Sequence, residues 1–88
     1  AHEQNTTFKI EALRNKLLGT WAAEVKGLAE DKTEEYIKDV VRSDFQEAGD
    51  EDVFRKLKND LEGLVDEHAI RTKMSECLQA AKDKVSNS

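Results

Sequence analysis

The side chains able to do chemistry in this chain are few and far apart. His2, His68 and Cys77 stand singly, with no Cys-x-x-Cys or His-x-x-x-His spacing, so a zinc site lacks its ligand set and no metal is expected. His68 and Cys77 are nine residues apart. On an ideal helix that places them about 180° from each other, so a nucleophile and its base could not meet there. Cys77 therefore reads as a buried thiol continuing an apolar stripe. The acidic stretch from Asp44 to Asp52 invites a calcium ion. A loop beginning at Asp50, however, has no glycine at its sixth position, and Leu61 stands where the twelfth requires a bidentate glutamate. The four glycines, at 19, 27, 49 and 63, are scattered and build no phosphate-cradling loop. The chain reads as a non-enzyme, with no cofactor expected.

What remains is a surface. Phe8, Lys9, Arg14, Asn15 and Lys16 place an aromatic ring and cations together on a protein whose 14 basic residues are outnumbered by 19 acidic ones. Such a patch can bind an acidic partner, and the same pattern also describes a solvated face with snorkelling cations. The net charge of −5 and pI near 5.0 argue against nucleic acid, because a phosphate backbone requires a basic stripe that no local run supplies. No apolar run approaches the roughly 20 residues that cross a bilayer. A single cysteine and the lack of a signal-peptide pattern point to a reducing, cytoplasmic setting.

The elements that position this patch follow from apolar spacing. Eighty-eight residues without proline leave room for one small domain of long helices. In the first segment Ile10, Leu13, Leu17, Trp21, Val25 and Leu28 recur every three or four residues, with Phe8 and Leu18 widening the face. Gly27 fits the left-handed position that ends a helix near Lys26, and Trp21 reads as the main core aromatic. Gly19, inside this helix, implies close approach of another helix or a bend. A second stripe, Tyr36, Ile37, Val40, Val41 and Phe45, follows an N-cap expected at Asp31 with Glu34 completing a capping box, and Thr33 is the rival cap.

Ala48-Gly49-Asp50 marks a corner, and Val53, Leu57, Leu61 and Leu64 form a third stripe with Phe54 beside it. Asp66 can cap a fourth helix carrying Ile70, Met74, Cys77, Leu78, Ala81 and Val85. Glu34 with Lys38, Glu51 with Arg55, Asp52 with Lys56 and Glu67 with Arg71 are spaced as ion pairs along one helix. The expected fold is all-α: a compact four-helix bundle with short connections and the first helix longest. Its helices are placed at about 8–26, 32–47, 51–63 and 67–85, preceded by a mobile segment 1–7 and followed by a polar tail 86–88.

Three stretches resemble a known family, the small zeta-type inhibitor subunits of bacterial (alphaproteobacterial-type) F-type ATP synthases. They are Phe8-Lys-Ile-Glu-Ala-Leu-Arg-Asn-Lys-Leu-Leu-Gly-Thr-Trp-Ala-Ala-Glu24, Tyr36-Ile-Lys-Asp-Val-Val-Arg-Ser-Asp-Phe45 and Gly49-Asp-Glu-Asp-Val-Phe-Arg-Lys56. The resemblance implies a regulatory four-helix protein that binds the catalytic sector of the synthase and inhibits ATP hydrolysis. It would be monomeric when free and held at the inner face of the membrane through the synthase, without inserting into it. In that family an N-terminal arm, ordered on binding, does the inhibitory work. Relatives carry several further helical turns before the position of Ala1, so the arm reads as truncated here. Where relatives tend to be charged this chain has Gln4-Asn5-Thr6-Thr7, and Leu13 replaces a second basic residue. The resemblance places partner contact at Phe8, Lys9, Glu11, Arg14 and Asn15, where the arm joins the bundle. The alternatives are a helical adaptor for another protein and an adenine-nucleotide module using cations near Arg14 or Arg42.

Overall fold

The computed structural model describes the backbone of residues 2–44 and 51–86, with side chains from residue 6 onward. Four α-helices make up its regular structure: α1 (His2–Lys26), α2 (Glu30–Ser43), α3 (Glu51–Asp60) and α4 (Glu67–Ser86). The chain is an all-α four-helix bundle. Its long dimension of 40 Å matches the 25 residues of α1, which at 1.5 Å per residue span about 37 Å. α1 packs chiefly on α2 and α4, and the shorter α3 closes the ring between those two.

The helix ends show how local sequence decides geometry. Gly27 has φ +71°, its N–H donates to Glu24 O at 3.1 Å, and Leu28 N–H donates to Ala23 O at 3.0 Å. These are the two bonds of a Schellman ending, and only glycine takes that φ without strain. The tight turn leaves three residues before α2, so Ala29 falls at its N-cap position with no side-chain bond, in place of the expected Asp31. Asp31 lies instead in the first turn, where its charge suits the positive helix end, and the Thr33 hydroxyl donates back to Ala29 O at 2.9 Å. Asp66 caps α4 as expected, accepting from Ala69 N–H at 2.8 Å. α1 begins at His2, earlier than the start expected near Phe8, and α4 continues through Ser86. The corner at 45–50, with Phe45 and Gly49, lies outside the described residues, as does the end expected for the second helix at 47.

The buried face of α1 is rotated from the stripe that its large apolar residues suggest. Asn15, Leu18, Gly19, Ala22 and Ala23 are buried, at i, i+3, i+4, i+7 and i+8, whereas Leu17, Trp21 and Val25 are half-buried along one margin. Small residues win the centre because they let α2 come close. A Cβ built on Gly19 would stand 3.0 Å from both Cα and Cγ1 of Ile37. The larger side chains then cover the flank beside α4. Trp21 is thus an edge aromatic rather than the centre of the core, with Lys73 Nζ 5.8 Å from its ring centroid. Val40, Val53, Leu57, Leu61 and Ile70 complete the interior, while Leu64, expected in the third stripe, is exposed because α3 ends at Asp60 and the chain turns through Gly63 at φ +82°.

Glu51 and Glu67, expected to pair within their own helices, pair between α3 and α4, while Lys56 pairs along α3 with Asp60 at 3.1 Å. Glu51 accepts from Arg71 at 3.0 Å and Glu67 from Lys58 at 2.7 Å, tying the ten-residue α3 to its neighbour. The Arg71 guanidinium also lies 3.6 Å from the Phe54 ring centroid. Exposed pairs of this kind contribute tenths of a kcal/mol each, so they set alignment more than stability. At the junction of α2 and α3, Tyr36 donates its hydroxyl to Asp60 at 2.8 Å, with Lys26 and Lys56 each about 5 Å from its ring.

Candidate functional site

The five residues assigned to partner contact divide into two sets. Phe8, Lys9 and Glu11 are exposed, Phe8 with 59% of its surface open to solvent. Arg14 and Asn15 are buried, at 6% and 1%. Their burial has a cause that lies 30 residues away. Arg14 Nη2 donates to Asp44 Oδ1 at 3.3 Å, and Asn15 Nδ2 donates to Asp44 Oδ2 at 3.0 Å. Arg14 Nε and Nη2 also donate to Asn15 Oδ1 at 3.1 and 3.0 Å. One carboxylate, one amide and one guanidinium thus satisfy one another where α1 crosses the end of α2. Among the described residues no buried side-chain polar atom lacks a partner.

This arrangement corrects the picture of an exposed basic patch. Arg14 contributes to a buried clamp and leaves Lys9 and Lys16 as the surface cations of the segment. Taking both charges largely from water is compensated by the bonds among these three side chains, and removal of either charged partner would strand the other. Arg42, the other cation considered for an anionic ligand, is exposed and bonded to Asp39 at 3.0 Å.

Phe8, Glu11, Ala12 and Asn15 are spaced i, i+3, i+4 and i+7 and so share one face of α1. They line a shallow hollow of about 30 Å³ whose opposite wall is Val41 and Asp44 of α2. Two residues not assigned to this site from the sequence, Val41 and Asp44, therefore belong to it. Asp44 did carry a signal. A carboxylate at the C-terminal end of a helix opposes the macrodipole, so a compensating cation was to be expected nearby.

A second, larger concavity of about 470 Å³ lies between α1 and α4. Leu17, Trp21, Cys77 and Ala80 are among its apolar lining, with Glu24, Lys73 and Glu76 around it. Burial pushes the Cys77 thiol above its ordinary pKa, which keeps it protonated and a poor nucleophile. Among the described residues no three His, Cys, Asp or Glu side chains come together in a way that could hold a metal ion. None of the described helices is long and apolar enough to cross a membrane.

The family model described as ATPase inhibitor subunit zeta matches residues 1–84. The chain belongs to that family. A solution NMR structure 45% identical to this zeta-family chain superposes with a TM-score of 0.83, covering 91% of this chain and 94% of that one. No curated protein matches it. The region matched to the zeta family includes all of α1 and α2, and with them every residue that lines the hollow.

Proposed function

We propose that this protein is a regulatory subunit that binds the catalytic sector of an F-type ATP synthase and inhibits ATP hydrolysis, without catalysing a reaction itself. The observation that carries this reading is the match of the zeta inhibitor family over residues 1–84. The exposed face at the start of α1 supports it. Phe8 is a large aromatic open to solvent, flanked by Lys9 and Glu11, on a helix whose orientation is fixed by buried polar bonds. Aromatic side chains, Phe among them, are enriched where proteins meet, and an exposed ring of this size is a ready anchor for a partner. Phe8, Lys9 and Glu11 are the contacting side chains, and Arg14 and Asn15 hold the helix that presents them.

The test is ATP hydrolysis by a matching bacterial F-type catalytic sector, with this chain added and, in parallel, a form extended at its N-terminus by a family-like helical arm. Inhibition by the extended form, weakened by Phe8→Ala, is the expected result. Failure of both forms to bind or inhibit would overturn the assignment and favour a helical adaptor for another protein.

A further inference from the structure

The docking face on α1 has an unusual anchorage. Counting back along α1, Leu18 is the last hydrophobic side chain that is fully buried, and Leu13, Ala12 and Ile10 are only half-buried. The turns that carry Phe8, Lys9 and Glu11 therefore receive little of the apolar packing that fixes the rest of the helix. What ties them to the bundle is the clamp at Arg14 and Asn15, and both of those side chains converge on one carboxylate, Asp44.

We propose that Asp44 is the positioning residue for the docking segment: by binding Arg14 through one oxygen and Asn15 through the other, it sets the rotation of α1 and so the direction in which Phe8 and Glu11 point. Successive residues turn by about 100°, so Glu11 and Phe8, four and seven positions before Asn15, share its direction to within about 40°. A two-oxygen grip on adjacent residues resists rotation about the helix axis in a way that a single apolar contact does not, because hydrogen bonds demand direction as well as distance. Val41, one turn before Asp44, forms the rest of the wall, so the docking surface is a composite of α1 and the end of α2. The inference rests on the reading of this face as the site of partner contact.

Two measurements test it. In the protein alone, amide hydrogen exchange is followed at residues 8–13 and at residues 18–23 for wild type, Asp44→Ala, Asp44→Asn and Asp44→Glu. In Asp44→Asn an amide replaces one of the two accepting oxygens and faces a donor. The expected result is exchange at 8–13 faster by about tenfold or more, with a clearly smaller change at 18–23, and partial recovery in Asp44→Glu. An equal acceleration in both segments would mean that Asp44 only adds to global stability, and would overturn the proposal. If Asp44→Ala does not fold, Asp44→Asn carries the same comparison. The second measurement is inhibition of the catalytic sector by the arm-extended form. Asp44→Asn should raise the concentration needed for half-inhibition while the extent at saturation is kept, and an unchanged concentration would count against the positioning role. A wild-type chain that neither binds nor inhibits would defeat the functional reading but leave the exchange result standing.

Discussion

The two halves of α1 are one continuous helix held by different physics. From Leu18 to Lys26 it is fixed by close packing, with Leu18, Ala22 and Ala23 fully buried and Gly19 nearly touching Ile37. Before Leu18 it is fixed by a polar clamp to Asp44, and Phe8, Lys9 and Glu11 stay open to solvent. Apolar packing would have anchored the first half as well, but only by covering it. A helix face that stays open to solvent has to be held without being buried, and directional polar bonds at its base do that.

The sharpest way to break this contrast is to damage one half and observe the other. Leu18→Ala should cost about 3–5 kcal/mol through lost burial and a residual cavity, enough to unfold much of a domain this small. Thermal denaturation would register this as a loss of at least ~12 °C. Arg14→Ala should cost about 2–4 kcal/mol, because Asp44 is left as a mostly buried carboxylate without its cation. Unlike Leu18→Ala, it should be rescued in part by Asp44→Ala in the same chain, and a double mutant as unstable as the sum of the two would deny the clamp.

Gly19→Ala lies between the two mechanisms. Alanine gains about 1 kcal/mol in helix propensity but places a methyl group 3.0 Å from the Ile37 backbone, so urea denaturation should show a net loss of about 1 kcal/mol. Phe8→Ala should change stability by less than about 0.5 kcal/mol, since the ring is exposed, while weakening inhibition several-fold.

A fifth probe reports on the packed region alone. Burial, then the hydrogen bond and charge of Asp60, hold the Tyr36 phenol well above its usual pKa. A proton-bearing group with a raised folded pKa stabilises the native state fully below its unfolded pKa of about 10, and that contribution is lost as pH rises beyond it. Wild type should therefore lose stability above about pH 10 more steeply than Tyr36→Phe. Tyr36 is the single tyrosine, so ultraviolet titration reads it without interference, and ionisation at an ordinary pH in the folded protein would disprove the buried hydroxyl.

Most of the architecture was legible because it is written in local signals. Gly27 and Asp66 each act through bonds within a few residues, and the alternation of apolar stripes with helix breakers gives the four helices. What escaped depended on tertiary distance. The start of α2 was misplaced because Asp31 and Glu34 look like a capping box, whereas the three-residue link from Gly27 leaves Ala29 at the cap. Trp21 reads from the sequence as the main core aromatic because size suggests burial, but close approach of α2 rewards small residues on the buried face and leaves Trp21 half-buried at its edge. Arg14 and Asn15 read from the sequence as members of an exposed contact patch, and only the fold reveals that Asp44, 30 residues beyond Arg14, draws them inward. Phe8 reads from the sequence both as widening the apolar face of the first helix and as part of a surface patch, and the structure leaves it open to solvent.

The Schellman turn also bears on the order of assembly. Only three residues separate α1 from α2 and six separate α3 from α4, so closing the first hairpin carries the smaller loss of chain entropy of the two. Phe8, Glu11, Ala12, Asn15, Val41 and Asp44 all belong to that hairpin. The surface proposed for recognition therefore lies within one helical hairpin, with no lining residue from α3 or α4.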